Sequence, residues 1–266
     1  MNEATRTKAL PRQLTILALV LTIGGALAAL AAAVGSGAGL WHFGSAFTVL
    51  RYAFYATMAG GAVAIVALLL SLKSGGGLAK YNLAALLIAA GFAFYLIPQV
   101  ATARRLPGIH DITTDLANPP QFAALTVRAD NLDKVPDEGR AELKAMAPVE
   151  RWKALHGKAY SDLRPLKAPV GPAQAFQRAE ALVKKRGWDI AKSDPGQGTI
   201  EATATTLFFR FKDDVAIRIT PDPANSQASV IDMRSISRVG GSDVGVNAAR
   251  IRTFLGDLDE AFKHPK

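Results

Sequence analysis

Three long apolar stretches near the start of the chain constrain its fold more than any other feature. They run from Leu14 to Val34, from Tyr52 to Leu72 and from Tyr81 to Ala103, and none contains Asp, Glu, Lys, Arg or His. Each is about 20 residues long, which as α-helix spans about 30 Å, the thickness of a bilayer's hydrocarbon core. The sequence therefore predicts a three-helix transmembrane anchor over residues 1–106, followed by one soluble domain over residues 107–266.

The excess positive charge of the chain lies next to these apolar stretches. The net charge is +9, and the first 106 residues hold eight basic residues against Glu3 alone, whereas the remainder holds 23 basic and 21 acidic residues. Basic residues beside apolar helices set the direction of insertion and contact anionic headgroups. The lipid bilayer is therefore the expected partner of residues 14–34, 52–72 and 81–103. Nucleic acid is not expected, because the soluble part lacks a basic excess.

The basic residues also predict a topology. With the N-terminus inside, the cytoplasmic segments carry five basic residues and the outer segments three, which favours a multi-pass inner (plasma) membrane protein with a periplasmic or otherwise extracytoplasmic C-terminal domain. Arg104 and Arg105, directly after the third stretch, count against this orientation. The first stretch could instead be a cleaved signal peptide, with Ala31 and Ala33 near the cleavage site. Both interpretations place the soluble domain on the same outer side.

The apolar stretches indicate an anchor rather than a transport path. Only Asn82 and Gln99 are strongly polar within them, whereas transporters and channels need ionisable or carbonyl-lined interiors. Gly25, Ala29 and Ala33 follow each other at the four-residue spacing that lets a neighbouring helix approach closely, although an alanine-rich helix also produces this spacing by chance.

The soluble part predicts an α+β fold. Prolines interrupt residues 107–170, which are expected to wrap the core as loops and short helices, and no pattern fixes the packing of residues 121–156. Residues 171–266 read as helix, four antiparallel strands, helix, with both helices packed on one face of the sheet. The predicted elements are a helix from Pro172 to Gly187, strands over 188–191, 199–211, 215–220 and 228–237, a turn at Asp213 and Asp214, and a helix from about Ser242 to Phe262.

Strand alternation separates an apolar face of this sheet from a polar one. Alternation places Val215, Ile217 and Ile219 toward the core and Arg218, Asp232 and Arg234 on the opposite face. A turn near Ala224 or Asn225 sets Arg218 opposite residues 230–232, so a cross-strand pair with Asp232 is predicted. Such a face is ordinarily solvated, but it could also contact a lipid headgroup or an envelope protein.

A glycine turn before the last helix is the second candidate contact. Arg238, Gly240, Gly241 and Ser242 bring backbone amides and a guanidinium to a helix start, where an anion or a partner carboxylate is favoured. The alternative is structural: Ser242 caps the helix, Asp243 occupies its first turn, and Arg238 is held by a carboxylate of the domain itself.

His110, Asp111 and Asp115 form the third candidate group. A histidine and two carboxylates could hold a metal ion or serve a hydrolase, although such a combination within six residues is common in turns. The chain has no cysteine, no HExxH, no G-x-S-x-G and no phosphate-binding glycine loop. No catalytic residue, metal site or cofactor is therefore predicted.

Several short stretches give the soluble part a family resemblance. These stretches are residues 108–115, 118–120, 160–163, 187–188, 200–203, 211–215, 232–240, 242–243 and 247. Through them the chain resembles the domain of unknown function 1499 family in its membrane-anchored bacterial form. That family is uncharacterised, so the resemblance implies a domain identity and no catalytic residue.

Two functions of different classes remain open at the level of sequence. One is a non-catalytic binding or interaction module in the cell envelope, tethered to the membrane. The other is an envelope hydrolase or similar enzyme built around His110, Asp111 and Asp115. A cavity that joined those three residues to Asp213 or Arg238 would favour the enzyme.

Overall fold

Three long helices make up the first part of the structure. A computed structural model describes residues 3–264, and its first elements are α1 (Glu3–Gly37), α2 (Phe43–Lys73) and α3 (Ala79–Arg105). Within these described residues, the same three helices are the ones long and apolar enough to cross a membrane. Each contains one of the predicted apolar stretches, so the prediction of three membrane-spanning helices agrees with the helices observed.

Small residues let α1 and α2 approach each other. A Cβ atom added at Gly25 of α1 would lie 2.3 Å from the Oγ1 atom of Thr57 and 2.8 Å from the carbonyl oxygen of Ala53, both on α2. Ala29 and Ala33, which continue the same stripe, are buried. The predicted small-residue spacing therefore marks a helix–helix contact, where a larger side chain at residue 25 would force the two backbones apart.

The polar part of the chain alternates short helices and strands. It forms a compact unit of its own, made of Thr102–Thr206 and the residues from Phe211 onward, while Leu207–Arg210 belong to the helical unit that ends at Ala101. The elements after α3 are, in chain order, β1 (Asp111–Thr113), α4 (Ala141–Lys144), α5 (Pro148–Ala159), β2 (Leu166–Ala168), α6 (Pro172–Lys185), β3 (Asp189–Asp194), β4 (Thr199–Thr205), β5 (Lys212–Asp222), β6 (Asn225–Ser237) and α7 (Val246–Lys263).

The strands form one antiparallel sheet, which confirms the α+β class. Its order is β1-β6-β5-β4-β3, and β2 pairs with β6 beyond the end of β1. The sheet therefore has six strands among the described residues, not the four predicted. The two extra strands come from the segment that was expected to be irregular, because three residues are too few to show the two-residue period of a strand.

The β4–β5 connection differs from the prediction. Asp213 and Asp214 were expected to turn the chain, but both lie inside β5, and the hairpin closes earlier through the Thr206 amide, which donates to the Phe211 carbonyl. Aspartates favour turns because their side chains hydrogen-bond to nearby backbone groups. Here both side chains are buried and paired with arginines, so they are accommodated in a strand.

The start of the last helix also differs from the prediction. It begins at Val246 and not near Ser242, because Gly245 adopts a left-handed conformation with φ of 84° and ends the preceding turn. The Asp243 carboxylate caps the helix, since it accepts hydrogen bonds from the amides of Gly245 at 3.0 Å and Asn247 at 2.7 Å. Burial raises the pKa of Asp243, while these two amide hydrogen bonds lower it.

One face of the sheet packs on α6 and α7. Ile217 and Met233 are buried on this face, in one apolar cluster with Phe176 of α6 and Phe254 of α7. The predicted inward alternation of β5 is therefore confirmed. Phe254 is fully buried and stacks on Trp188 with ring centroids 5.3 Å apart, so its truncation to alanine would cost about 3–5 kcal/mol of unfolding free energy.

Strand β3 lies at one edge of the sheet. It pairs only with β4, and the register shifts between Ile190 and Lys192, which marks a bulge. Its burial alternates between exposed and intermediate, and Asp189 and Lys192 add charge along it. Bulges and charges are the usual means by which an edge strand avoids pairing with another chain.

Candidate functional site

The sheet face opposite the helices carries the polar residues that the sequence singled out. The register places residues of β4, β5, β6 and β1 on this face in adjacent rows. Its ionisable members that are buried or half-buried are Asp111, Glu201, Asp214, Arg218, Asp232 and Arg234. We call this set the polar sheet face.

Arg218 joins two carboxylates on the polar sheet face. It lies opposite Asp232 in the β5–β6 register, and its Nη2 atom donates to Asp232 Oδ2 at 2.9 Å and to Asp115 Oδ2 at 3.2 Å. The predicted cross-strand pair of Arg218 and Asp232 is therefore confirmed. The Thr114 hydroxyl donates to the other oxygen of Asp232 at 3.0 Å, so this carboxylate has partners on both oxygens.

Arg234 forms the most deeply buried ion pair of this face. Its Nε and Nη2 atoms donate to the two carboxylate oxygens of Asp111 at 2.9 and 2.7 Å, and Asn131 donates to Asp111 as well. The guanidinium also lies over the ring of Phe122, 5.8 Å from its centroid. The side chains of Asp111 and Arg234 are only 1% and 10% exposed.

A loop segment covers the polar sheet face. The Glu201 carboxylate accepts hydrogen bonds from the backbone amides of residues 123–125 at 2.8–3.1 Å, and the Pro120 carbonyl accepts one from Arg234. We call residues 115–131 the covering segment. The expectation that this face is solvated is wrong, because the covering segment supplies the polar partners that water would otherwise provide.

Arg238 is held by a carboxylate of the domain. Its Nε atom lies 2.9 Å from Oδ2 of Asp214 and its Nη2 atom 2.8 Å from Oδ1, and Thr203 accepts a further bond from Nη2. The ion pair with Asp214 raises the pKa of Arg238. Ser242 lies outside the helix and its hydroxyl accepts from the Val244 amide at 3.2 Å.

The surface around this turn is nevertheless accessible. Arg238, Gly241 and Ser242 are exposed, whereas Gly240 is half-buried and its carbonyl accepts a hydrogen bond from Arg128 at 2.7 Å. The anion or partner contact expected of this turn stays a prediction. Its helix start is already capped by Asp243, which weakens the case for a second anion there.

The three residues proposed for a hydrolase make separate contacts. His110 has its Nδ1 atom 3.5 Å from the Gly241 carbonyl oxygen, Asp111 pairs with Arg234, and Asp115 pairs with Arg218. Among residues 3–264, no three His, Cys, Asp or Glu side chains come together in a way that could hold a metal ion. His110, Asp111 and Asp115 therefore do not come together in one site, as the hydrolase hypothesis requires.

A cavity of larger volume lies elsewhere, between the end of β1 and α5. Its volume is about 330 Å³, within the range of small-molecule sites. We call it the His156 cavity. Its lining comes from the end of β1 and the residues after it, from α5, and from the segment that leads to β2; the lining residues are Thr113, Thr114, Asp115, Leu116, Ala117, His156, Gly157, Tyr160, Leu163, Arg164 and Pro165.

Two buried residues of this cavity have an unpartnered polar atom. His156 and Tyr160 are each 2% exposed, and neither the Nδ1 atom of His156 nor the hydroxyl of Tyr160 has a hydrogen-bond partner among the residues described. Their rings meet edge to face with centroids 5.4 Å apart. A buried polar group without a partner costs about 1–3 kcal/mol.

The protonation state of His156 follows from its surroundings. The Thr113 amide donates to Nε2 at 3.1 Å, so Nε2 is the unprotonated nitrogen and Nδ1 carries the hydrogen. Burial lowers the pKa of His156 to about 4, and the negative charge of Asp111 opposes this shift. Burial also raises the pKa of Tyr160. Both side chains are therefore neutral at neutral pH.

Sequence reasoning did not find these two residues. The available signal was the four-residue spacing of Trp152, His156 and Tyr160, which places all three on one face of α5 and its C-terminal cap. This spacing predicts only a short amphipathic helix. A histidine on the apolar face of such a helix does not indicate a cavity until the elements that pack beside it are known.

The fold and these contacts define a protein class: three helices long and apolar enough to cross a membrane precede an antiparallel α+β domain in which arginine–carboxylate pairs and backbone amides hold a covering segment. The chain belongs to the family described as "Protein of unknown function (DUF1499)", whose model matches residues 111–258. The family resemblance in the sequence is therefore confirmed. No curated protein matches the sequence.

Proposed function

We propose that this chain is an integral membrane protein whose extracytoplasmic domain is a non-catalytic binding module of the cell envelope. Three helices suited to crossing a membrane would hold the module at the bilayer. The partner would be an envelope small molecule, a lipid headgroup or an envelope protein. We expect its site in the described part of the domain.

One observation carries the non-catalytic part of this proposal. Every buried carboxylate among the described residues accepts hydrogen bonds from an arginine or from backbone amides of its own domain. The arginine-bound ones are Asp111, Asp213, Asp214 and Asp232, and the amide-bound ones are Glu201 and Asp243. A general base or nucleophile needs a lone pair within reach of the substrate. These carboxylates instead serve to hold the fold together.

Native mass spectrometry of the full-length protein in lipid nanodiscs tests the proposal. We expect a bound species at a fixed ratio to protein, whose mass does not change on incubation. His110→Gln should retain this species, because this residue would not be needed for chemistry. Ser161→Ala, an exposed hydroxyl deletion, serves as the control for handling losses.

The same experiment can contradict the proposal. If the species is converted to products on incubation, and if His110→Gln and Asp115→Asn both stop the conversion, then the domain is an enzyme. If wild-type protein carries no species at a fixed ratio in nanodiscs made from membranes of the source cells, the proposal of a binding module is abandoned.

A further inference from the structure

Two residues in the lining of the His156 cavity, His156 and Tyr160, each have a buried polar atom without a partner among the described residues. His110 and Asn131 likewise have unpartnered Nε2 and Oδ1 atoms and line a second cavity, but that cavity holds only about 10 Å³. A volume of about 330 Å³ is far more than one water molecule requires. The His156 cavity therefore combines unpartnered polar atoms with room for a small molecule.

We propose that the His156 cavity binds a neutral small molecule through oxygen atoms that accept hydrogen bonds from His156 Nδ1–H and from the Tyr160 hydroxyl. This inference rests on the proposed binding function and names its site and ligand class. Carbonyl and hydroxyl oxygens, as in an N-acylated sugar, match these two donors.

The charges of the lining support a neutral ligand. Both oxygens of the Asp115 carboxylate are already used, since one accepts from the amides of Ala117 and Asn118 at 3.0 Å and the other from Arg218. The Arg164 guanidinium donates to the Leu163 carbonyl at 2.8 Å. The Asp115 charge is therefore paired with Arg218, and the Arg164 side chain is exposed, so its charge is solvated. An ionic ligand would find no buried, unpaired counter-charge on this lining.

The remaining lining supports a ligand with an apolar portion. Leu116, Ala117, Leu163 and Pro165 contribute aliphatic surface around the two polar groups. Mostly apolar walls with a few polar groups are the usual composition of a small-molecule site. The apolar walls would bind a methyl or methylene group, and the two donors would fix its orientation.

Tyr160→Phe and His156→Phe separate a binding role from a structural one. Tyr160→Phe removes only a hydroxyl that has no partner within the domain, so a purely structural residue would lose no stability. We expect its melting temperature to be unchanged or raised while ligand affinity falls at least fivefold. Ser161→Ala is the matched control, because it removes an exposed hydroxyl one residue away and should change neither quantity.

The probes are N-acetylglucosamine, which is neutral, and glucuronic acid, which is anionic, added to the full-length protein in nanodiscs. We expect saturation-transfer NMR to detect the neutral probe and not the anionic one. The chain has four histidines, so the Nδ1 resonance of His156 in ¹⁵N-histidine-labelled protein can be assigned by its loss in His156→Phe. That resonance should shift when the neutral probe is added.

Three results would overturn the inference. They are no saturation transfer from the neutral probe, equal transfer from both probes, or equal affinity of wild type and Tyr160→Phe. If the bound species seen by native mass spectrometry survives in Tyr160→Phe, the binding module stands and its site lies elsewhere. If wild type carries no species at all, the proposed function fails together with this site.

Discussion

Arg234 reaches from β6 to Asp111 on β1 and closes a bidentate ion pair with nitrogen–oxygen distances of 2.9 and 2.7 Å. Strand β1 has only three residues, and its backbone pairing with β6 is correspondingly short. The ion pair therefore adds side-chain contacts where the backbone supplies few. Asn131 of the covering segment donates to the same carboxylate, so one buried charge joins strand, sheet and segment.

We expect Asp111→Ala to be strongly destabilising. It would leave the Arg234 guanidinium buried without its counter-charge, which costs about 3–5 kcal/mol of unfolding free energy. The control is Asp162→Ala, since Asp162 pairs with Arg252 at the surface and its loss should cost less than about 1 kcal/mol. Denaturant unfolding of the full-length protein, followed by tryptophan fluorescence, measures both. Equal costs for the two variants would contradict a structural role for the buried pair.

We expect the unfolding free energy to fall as the pH is lowered from about 6.5 to about 4. His156 has a folded pKa of about 4 and an unfolded value near 6.5, so the unfolded state binds the proton more readily in this window. The stabilisation is fully present above pH 6.5, and about 3 kcal/mol is lost by pH 4. His156→Phe should flatten the slope relative to wild type. Parallel slopes would show that His156 titrates normally.

We expect Glu201→Ala to release the covering segment while the sheet remains folded. The carboxylate accepts hydrogen bonds from the amides of residues 123–125, and hydrogen bonds to a charged group contribute about 1.5–3 kcal/mol each. Hydrogen–deuterium exchange of residues 119–131 should accelerate about 10- to 100-fold. Glu180→Ala, which removes a partly exposed carboxylate on α6, should leave this exchange unchanged. Uniform acceleration across the domain would instead indicate global unfolding.

We expect Arg238→Ala to lower stability by about 1–3 kcal/mol, because Asp214 is buried and would keep only the Thr203 hydroxyl as a side-chain partner. Thermal unfolding of the full-length protein measures this. The competing hypothesis is that Arg238 binds an anion or a partner carboxylate from outside the domain. An unchanged melting temperature together with loss of the species bound in nanodiscs would favour that hypothesis.

We expect a reporter fused after Lys266 to show the outer location of the domain. The five-to-three bias of basic residues predicts that alkaline phosphatase is active at this position and that a cytoplasm-only reporter is not. Replacing Lys73 and Lys80 with glutamine removes two of the five inner charges and should weaken the preference. Activity of the cytoplasm-only reporter at this fusion would overturn the orientation.

The sequence predicted the parts of the fold that repeat. The three apolar helices and the alternation along β5 depend on regular spacing, and the Arg218–Asp232 pair followed from the turn near Ala224. Strands β1 and β2 were missed because their register depends on β6, which lies more than 60 residues away in the chain. The start of α7 was misplaced because Asp243 and Gly245, rather than Ser242, form its cap.

The candidate site was less predictable than the fold. Arg234 and Asp111 could be recognised as polar residues of interest, but nothing local indicated that the covering segment would bury them. The tautomer of His156 is fixed by a hydrogen bond from the amide of Thr113, which is 43 residues away in the chain. Such relationships arise from tertiary packing, and a single sequence shows only the residue types that take part in them.

The edge strand β3 has a consequence for how this protein can be arranged in a membrane. Tethered domains are confined to a surface layer, where their local concentration is high and their exposed strand edges can meet. The bulge between Ile190 and Lys192 and the charges along β3 interrupt the ladder that a second domain would have to match. Crowding in two dimensions would then raise the frequency of collisions between neighbours without joining their sheets into a continuous fibre.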